Sequence, residues 1–245
     1  MKRKRRKPTA AARIRPFWLP IGFAVALLAG ALAFAAVYPG FEPKRVVVSG
    51  NSRVSRQEIL ARAAVAPHLT IWLQNTGAIA QRVAAIPYID VVHVRRIPPA
   101  TIRIVVTERA PFAVVRSGYD AVIVDRTLRV LEPVEDENTL PVLDIGPGIA
   151  LTPGAVLRSS AAVALRAAYE TMASRQMMPA QLALDRYGGL VVTMHSGLRL
   201  MLGGQNDLAQ KLTLADAIVS QIVTQRRRVA AIDLRAPSAP VLVYR

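Results

Sequence analysis

Hydrophobicity along the chain changes its period after about forty residues. PFWLPIGFAVALLAGALAFAAVYPG, residues 16–40, carries no charge, and its apolar part from Phe17 to Tyr38 is 22 residues long. A helix crosses a hydrocarbon core with roughly 20 residues, so a transmembrane helix is expected over 17–38. Trp18 and Tyr38 stand at its two ends, where amphipathic rings prefer the membrane interface. From Glu42 the apolar positions become periodic and a water-soluble region begins. KRVVVSG at 44–50 predicts a short strand stopped by Gly50-Asn51. Ser55 precedes RQEILARAA with Glu58 three residues on, a capping box that opens a helix ending before Pro67. In NTGAIAQRVAAI, Ile79, Val83 and Ile86 recur at helical spacing and Pro87 stops a second helix.

YIDVVHVRRI and TIRIVVTER follow as two strands around Pro98, Pro99 and Ala100, because proline cannot donate to a ladder. Ile102, Ile104 and Val106 fall on one face of the second strand, and Thr101, Arg103, Val105 and Thr107 on the other. The stretch 42–110 therefore reads strand, helix, helix, strand, strand. Arg95, Arg96, Glu108 and Arg109 at the strand ends are expected to be plain solubilising charge that discourages unwanted pairing, since exposed pairs are worth only about 0–1 kcal/mol.

After Pro111 the pattern is mostly β. PFAVVRS and AVIVDRTLRVL are strands around turns at Gly118 and Asp125-Arg126, and an acidic, turn-rich EPVEDENTLP follows. A helix is predicted over 161–177, with Val163, Ala167 and Met172 towards one face. LALDRY, LVVTMH and LRLML form a meander with two-residue Gly-Gly and Ser-Gly turns. Asn206 is the expected cap of a last helix whose Leu208, Leu212, Ala215, Val219 and Ile222 make one stripe, read as core. VAAIDLR and PVLVYR close the chain as strands. The fold class is α+β: a basic tail (1–16), a transmembrane helix (17–38) and two domains (42–110 and 111–245), the second mostly antiparallel.

Charge decides orientation. Lys and Arg total 32 against 16 Asp and Glu, a net charge of +16, and the eight basic residues of positions 1–15 stand without an acid. The positive-inside rule keeps this tail in the cytoplasm and sends the remainder across, a type II topology. The Ala-Phe-Ala at 33–35 offers a signal-peptide cleavage site, but signal h-regions run about 7–15 residues, so a retained anchor is expected. KRKRRK also matches nuclear and nucleic-acid patches. Its place against a span favours anionic lipid headgroups instead, and no nucleic-acid partner is expected.

Groups able to do chemistry are sparse. The chain has no cysteine, and His68, His93 and His195 lack metal-ligand spacing. His195 beside Ser196 suggests a nucleophile and base, yet adjacent strand residues point to opposite faces, and ordinary turn chemistry accounts better for the pair. GGQ at 203–205 lacks the spacing and lysine of a phosphate loop. Asp185, Asp207, Asp216 and Asp233 are dispersed. No enzyme, cofactor or metal is expected. Arg226, Arg227 and Arg228 are read as a solvated helix end.

RVVVSGNSRVSRQEIL and IPYIDVVHVRRIPPATIRIVVTERAPFAVV resemble a POTRA domain of the FtsQ/DivIB bacterial cell-division proteins. AVIVDRTLRVL, LPVLDIG, GLRLMLGGQNDLAQKLTLADAIV and VAAIDLRAPSAPVLVY resemble that family's second domain, in the usual order. The resemblance implies a non-catalytic inner-membrane scaffold at the division septum. It would bind FtsB- and FtsL-type partners and help coordinate septal peptidoglycan synthesis. Membrane-tethered POTRA proteins of polypeptide transport or outer-membrane assembly, and an envelope enzyme, stand as alternatives. Since PVLVYR ends the chain, it is expected to be a sheet edge open to a partner strand. The resemblance puts the partner-binding surface there, with Tyr244 and Ser238 matching, and Arg186, Arg235, Leu242 and Val243 completing the candidate set. Ala236, Ala239 and Pro240 depart from the family pattern. A competing expectation is that Leu242 and Tyr244 cover the domain's own core.

Overall fold

The computed structural model describes residues 10–134, 139–225 and 228–244. The tail up to Thr9, part of the acidic stretch after Val134, Arg226, Arg227 and Arg245 lie outside the described residues. The chain forms two compact units. One holds the described residues up to Ala84 together with Val91–Glu108; the other holds Ala85–Asp90 and the described residues from Arg109 on.

In the first unit, α1 spans Ala10–Val37. Its Pro20–Val37 window has a mean hydropathy of 2.2 and is not buried against protein, so α1 is long and apolar enough to cross a membrane. A single 3-10 turn, Pro39–Phe41, leads to β1 (Arg45–Ser49), α2 (Arg56–Ala63), α3 (Thr76–Ala84), β2 (Ile89–Ile97) and β3 (Thr101–Glu108). Ser55 Oγ accepts from the Glu58 N–H at 3.1 Å, the first half of the capping box, and α2 ends on a left-handed Ala64. Asn75 Oδ1 caps α3 by accepting from the Ala78 N–H at 2.9 Å.

The sheet order is β1-β3-β2, with β1 parallel to β3. Ile102, Ile104 and Val106 bury beneath Ile59 and Ala63 of α2 and Ile79 and Val83 of α3, which is the face assigned by alternation. Gly50 has φ +88°, and a side chain there would strike the Val106 carbonyl oxygen, so glycine is required where β1 turns away from β3.

The charges at the strand ends are structural rather than merely solubilising. Glu108 accepts from the backbone N–H groups of Ser52, Arg53 and Val54 at 2.9 Å each. Burial pushes its carboxyl up, but those N–H groups, Arg53 foremost, hold it below the usual glutamate range. Arg96 donates from Nε to the Ile71 carbonyl and from Nη2 to the Gln74 carbonyl, both at 2.7 Å. In the second unit Arg109 bridges Asp90 at 2.8 Å and Asp125 at 2.9 Å. Sequence alone showed these charges at strand ends but not the loop backbones that fold back onto them. Arg95 stays exposed, as expected.

The second unit carries β4 (Ala113–Ser117), β5 (Asp120–Val124), β6 (Val130–Pro133), β7 (Val142–Asp144), α4 (Ser160–Ala173), β8 (Pro179–Leu184), β9 (Leu190–Met194), β10 (Arg199–Gly203), α5 (Leu208–Thr224), β11 (Val229–Asp233) and β12 (Val241–Tyr244). The nine strands form one sheet in the order β12-β11-β10-β9-β8-β7-β4-β5-β6. Most pairings are antiparallel. β4 with β7, β7 with β8 and β10 with β11 are parallel, and in the last two α4 and α5 carry the chain across. One core joins the helices to the sheet through Leu165 and Met172 of α4, Leu212 and Ala215 of α5, and Leu182, Val192, Leu200 and Ile232 beneath them.

Three expectations for this unit need correction. In α4 the buried side is Ala162, Leu165, Ala168 and Met172, and Val163 is 44% exposed. Val163 and Met172 are nine residues, or two and a half turns, apart and so lie on opposite sides. The helix also stops at Ala173, with a left-handed Gln176 three residues on. Second, both meander turns have three residues. Asp185 pairs with Gly189 around Arg186, Tyr187 and Gly188, and Met194 pairs with Leu198 around His195, Ser196 and Gly197. Each third residue is a glycine with φ +79°, the arrangement in which a type I turn is followed by a left-handed residue. Third, α5 opens at Asp207, whose carbonyl accepts from the Lys211 N–H at 3.0 Å, rather than at Asn206. The α5 stripe is core, as read: Leu212 and Ala215 are fully buried and Leu208, Val219 and Ile222 pack against them.

Candidate functional site

Four short strand residues and the loop before them make the outer limit of the large sheet. β12 pairs on one side with β11, through Val241 with Asp233, Leu242 with Ile232, Val243 with Ala231 and Tyr244 with Val229. It is the outermost strand of that sheet among the described residues. Strand alternation sends Leu242 towards the helices, where it packs against the core. Val241 and Val243 point to the other face and are 56% and 46% exposed, and Tyr244 is 51% exposed. The reading that Leu242 and Tyr244 cover the domain's own core thus describes Leu242, whereas Tyr244 is half-exposed. A short apolar edge of this kind offers backbone to a partner strand and side chains to select it.

The loop end of β12 is fixed by charge. Arg235 leaves β11 and folds back on Asp233, with Nε 3.0 Å from both carboxylate oxygens and Nη2 2.6 Å from Oδ2. Its hydrogen bond lowers the Asp233 carboxyl and raises the Arg235 guanidinium. The stem of Arg235 lies across Gly203 at the end of β10, where a side chain would come within 3.0 Å of it, and Gly203 has φ +64°. Asp185, in the β8–β9 turn, accepts from the Gly189 and Tyr187 N–H groups at 2.8 Å. Those bonds, then the fields of Arg235 and Arg186, hold its carboxyl below the aspartate range. Arg186 and Arg235, far apart in sequence, thus both act electrostatically on one carboxylate. The Arg186 guanidinium stands 4.8 Å from the Tyr187 ring centre, and that ring is exposed.

Ser238 lies in the turn between β11 and β12, closed by the Ala239 N–H on the Ala236 carbonyl at 3.0 Å. With Pro237 it faces Gln210, Thr213, Leu214 and Ala217 of α5 across an open groove of about 750 Å³. Behind the groove, buried Lys211 donates to the Leu202 and Gly204 carbonyls at 2.7 Å each and ties α5 to the end of β10. The six candidate residues thus fall in two groups. Arg186, Arg235 and Ser238 stand at the loop end, and Leu242, Val243 and Tyr244 run along the strand, with Tyr244 about 10 Å from Val241 at ~3.4 Å per residue.

Sequence reasoning missed the two acids that organise the loop end, Asp185 and Asp233, by treating them as dispersed. The signal was present in Asp-x-x-x-Gly, where an aspartate can bond the N–H groups of the turn that follows it, and in Asp-x-Arg. His195 is a turn residue: its Nδ1 lies 3.0 Å from the Met178 carbonyl oxygen, and neighbouring Ser196 bonds the Leu198 N–H at 3.4 Å. No group of three or more His, Asp or Glu residues converges to hold a metal among the described residues.

Two family models match the chain. One, the FtsQ-type POTRA domain, covers residues 41–109, and the other, the C-terminal region of the cell division protein FtsQ/DivIB, covers residues 113–235. A cell division protein FtsQ of Syntrophotalea carbinolica is 36% identical over 96 residues, 39% of this chain and 33% of that protein. The Mycolicibacterium smegmatis protein of the same name is 36% identical over 91 residues, 37% of this chain and 27% of its own length. One from Agrobacterium fabrum is 24% identical over 196 residues, 80% of this chain and 59% of that protein. The matched stretches span about a third or less of the first two relatives. The second family match ends at Arg235, so Ser238 and β12 stand beyond it.

Proposed function

Because the chain belongs to the FtsQ/DivIB cell division protein family, we propose that it is a non-catalytic, single-pass membrane scaffold of the division complex. In this reading its edge strand captures an FtsB/FtsL-type partner and helps coordinate septal peptidoglycan synthesis. The observation that carries the proposal is the exposure of Val241, Val243 and Tyr244 on an outermost strand whose neighbour Leu242 is held by the core. A strand rigidly backed on one face loses little conformational freedom on binding. Arg186, Arg235 and Ser238 extend the surface, and the Arg235–Asp233 chelate keeps the guanidinium oriented for an acidic or carbonyl-bearing partner segment.

Capture of an FtsB/FtsL-type partner from solubilised membranes tests this. Tyr244→Ala removes a half-exposed aromatic, a residue type whose truncation at interface centres costs about 2 kcal/mol or more, roughly 30-fold in affinity. Val243→Pro removes an N–H from the edge strand and is expected to weaken capture comparably. Both variants folding normally and binding like the parent chain would remove β12 from the interface.

Topology is part of the same reading: α1 as a retained anchor, the tail in the cytoplasm, the two folded units in the periplasm at the septum. A periplasm-active reporter after Arg245 is expected to be active and one within residues 1–12 silent. The reverse pattern would invert the assignment, and a mature chain starting near Ala36 would replace the anchor by a signal peptide.

A further inference from the structure

The connection between α2 and α3 is built inside out for a loop in water. In PHLTIWLQN, residues 67–75, the polar side chains of Thr70 and Gln74 are 3% and 4% exposed, whereas Leu69, Trp72 and Leu73 are 45%, 44% and 54% exposed. The inversion is enforced by hydrogen bonds. Gln74 Nε2 donates to the Leu69 carbonyl at 2.9 Å and its Oε1 accepts from the Ala66 N–H at 3.3 Å. Arg96 holds the Ile71 and Gln74 carbonyls from the far side, and Ile71 itself is fully buried. Three large apolar side chains are thereby fixed outward on a rigid backbone, a costly arrangement in water.

The loop is also tied to the end of α1. Thr70 Oγ1 donates to the Ala36 carbonyl in the last turn of that helix at 3.2 Å, and the Ile71 N–H donates to the Phe41 carbonyl at 2.7 Å. An aromatic chain follows the same path: Phe34 stacks on Tyr38 at 4.8 Å, Tyr38 meets Phe41 at 5.7 Å, and Phe41 meets Trp72 at 5.9 Å. Where α1 spans a bilayer, its end lies at the hydrocarbon boundary. The headgroup layer outside that boundary is about 5–8 Å thick, so a loop bonded to Ala36 lies within it.

We propose that residues 69–73 are a membrane-contacting segment, with Leu69, Trp72 and Leu73 seated in the interfacial layer of the leaflet where α1 emerges. Tryptophan favours that layer, and shallow burial of an apolar patch there removes it from water. The stretch 42–108 carries nine Lys and Arg against four Asp and Glu, which suits anionic headgroups. The contact would hold the first unit down on the membrane instead of leaving it to swing on α1. It rests on the reading of α1 as a membrane helix, and it involves neither β12 nor its partner.

The sequence contains two tryptophans, Trp18 and Trp72, which makes the test direct. The full chain is reconstituted into phosphatidylethanolamine and phosphatidylglycerol vesicles carrying lipids brominated either near the headgroup or deep in the acyl chain. In a Trp18→Phe chain, Trp72 is expected to lose emission to the shallow quencher more than to the deep one and to be shielded from aqueous iodide. Leu69→Ser with Leu73→Ser should restore iodide access. The Trp72→Phe chain reports the anchor through Trp18. Lipid quenching of Trp18 with none of Trp72 would overturn the loop contact and leave the anchor standing. Absence of lipid quenching at Trp18 would overturn the anchor, and the proposal with it.

Discussion

Asp125→Ala should lower the stability of the second unit by about 3–5 kcal/mol, the range for breaking a buried ion pair by removing one partner. In a unit of this size that corresponds to a melting shift on the order of 10 °C. Asp125 is 5% exposed. Its Oδ1 accepts from the Thr127 N–H at 2.8 Å, the Thr127 hydroxyl at 2.6 Å and the Arg129 N–H at 2.9 Å, and its Oδ2 takes Arg109 Nη1 at 2.9 Å. Removing the carboxylate leaves two turn N–H groups and a guanidinium without that acceptor, and Arg109 Nε is already buried without a partner. The pH dependence has a defined sign. Burial pushes the Asp125 carboxyl up, but the hydrogen bonds, the Thr127 hydroxyl first, outweigh it and hold it below the usual aspartate range. A depressed folded pKa means that the contribution is present above the unfolded value and is lost as pH falls through the folded one. Thermal melts of the purified chain in detergent should therefore show the largest gap between parent and variant near neutrality. The gap should close only below about pH 4. A variant melting within a degree of its parent at pH 7 would show that the turn closes without Asp125.

The same residue marks the limit of what the sequence discloses. Asp125-Arg126 is legible as a turn because aspartate is a turn former, and the strands on either side are legible by alternation. That Arg109, sixteen positions earlier, folds onto the carboxylate is not a local property. The pattern is the same elsewhere. The five elements of the first unit, the meander and the α5 stripe follow from short-range rules, each a matter of period, cap or proline. The loop contacts of Glu108 and Arg96 join residues more than twenty positions apart that no period relates. At the candidate site, alternation accounts for buried Leu242 between exposed Val241 and Val243, whereas Tyr244 shares the face of Leu242 and is nonetheless half-exposed. The grouping of Arg186 with Arg235 around Asp185 depends on the order of strands, in which β8, β9, β10 and β11 run side by side. The turn contacts of Asp185 and the Asp233–Arg235 pair are local by contrast, and Asp-x-x-x-Gly and Asp-x-Arg carry their signal.

Helix α4 allows the difference between a pattern and its packing to be measured. Leu165→Ala should destabilise the second unit by about 2–5 kcal/mol, since Leu165 is fully buried in the core and truncation loses transfer energy and leaves a cavity. Val163→Ala, two residues away, should stay within about 0.5 kcal/mol, because Val163 faces solvent and alanine's higher helix propensity offsets part of the small contact it loses. Apolar content does not separate the two positions: valine and leucine are both hydrophobic, and the segment AAVALRAAYETMA is alanine-rich enough that several stripes fit it. The angular position does separate them, as Leu165 lies three residues after Ala162 and seven before Met172, on the side turned to β7 and β8. Urea titration of both variants beside the parent chain decides the matter. Equal losses at the two positions would mean that α4 sits on the sheet in a different rotation, with Val163, Ala167 and their neighbours sharing the core, whereas a loss confined to Leu165 fixes the face by which α4 holds the sheet that carries β12.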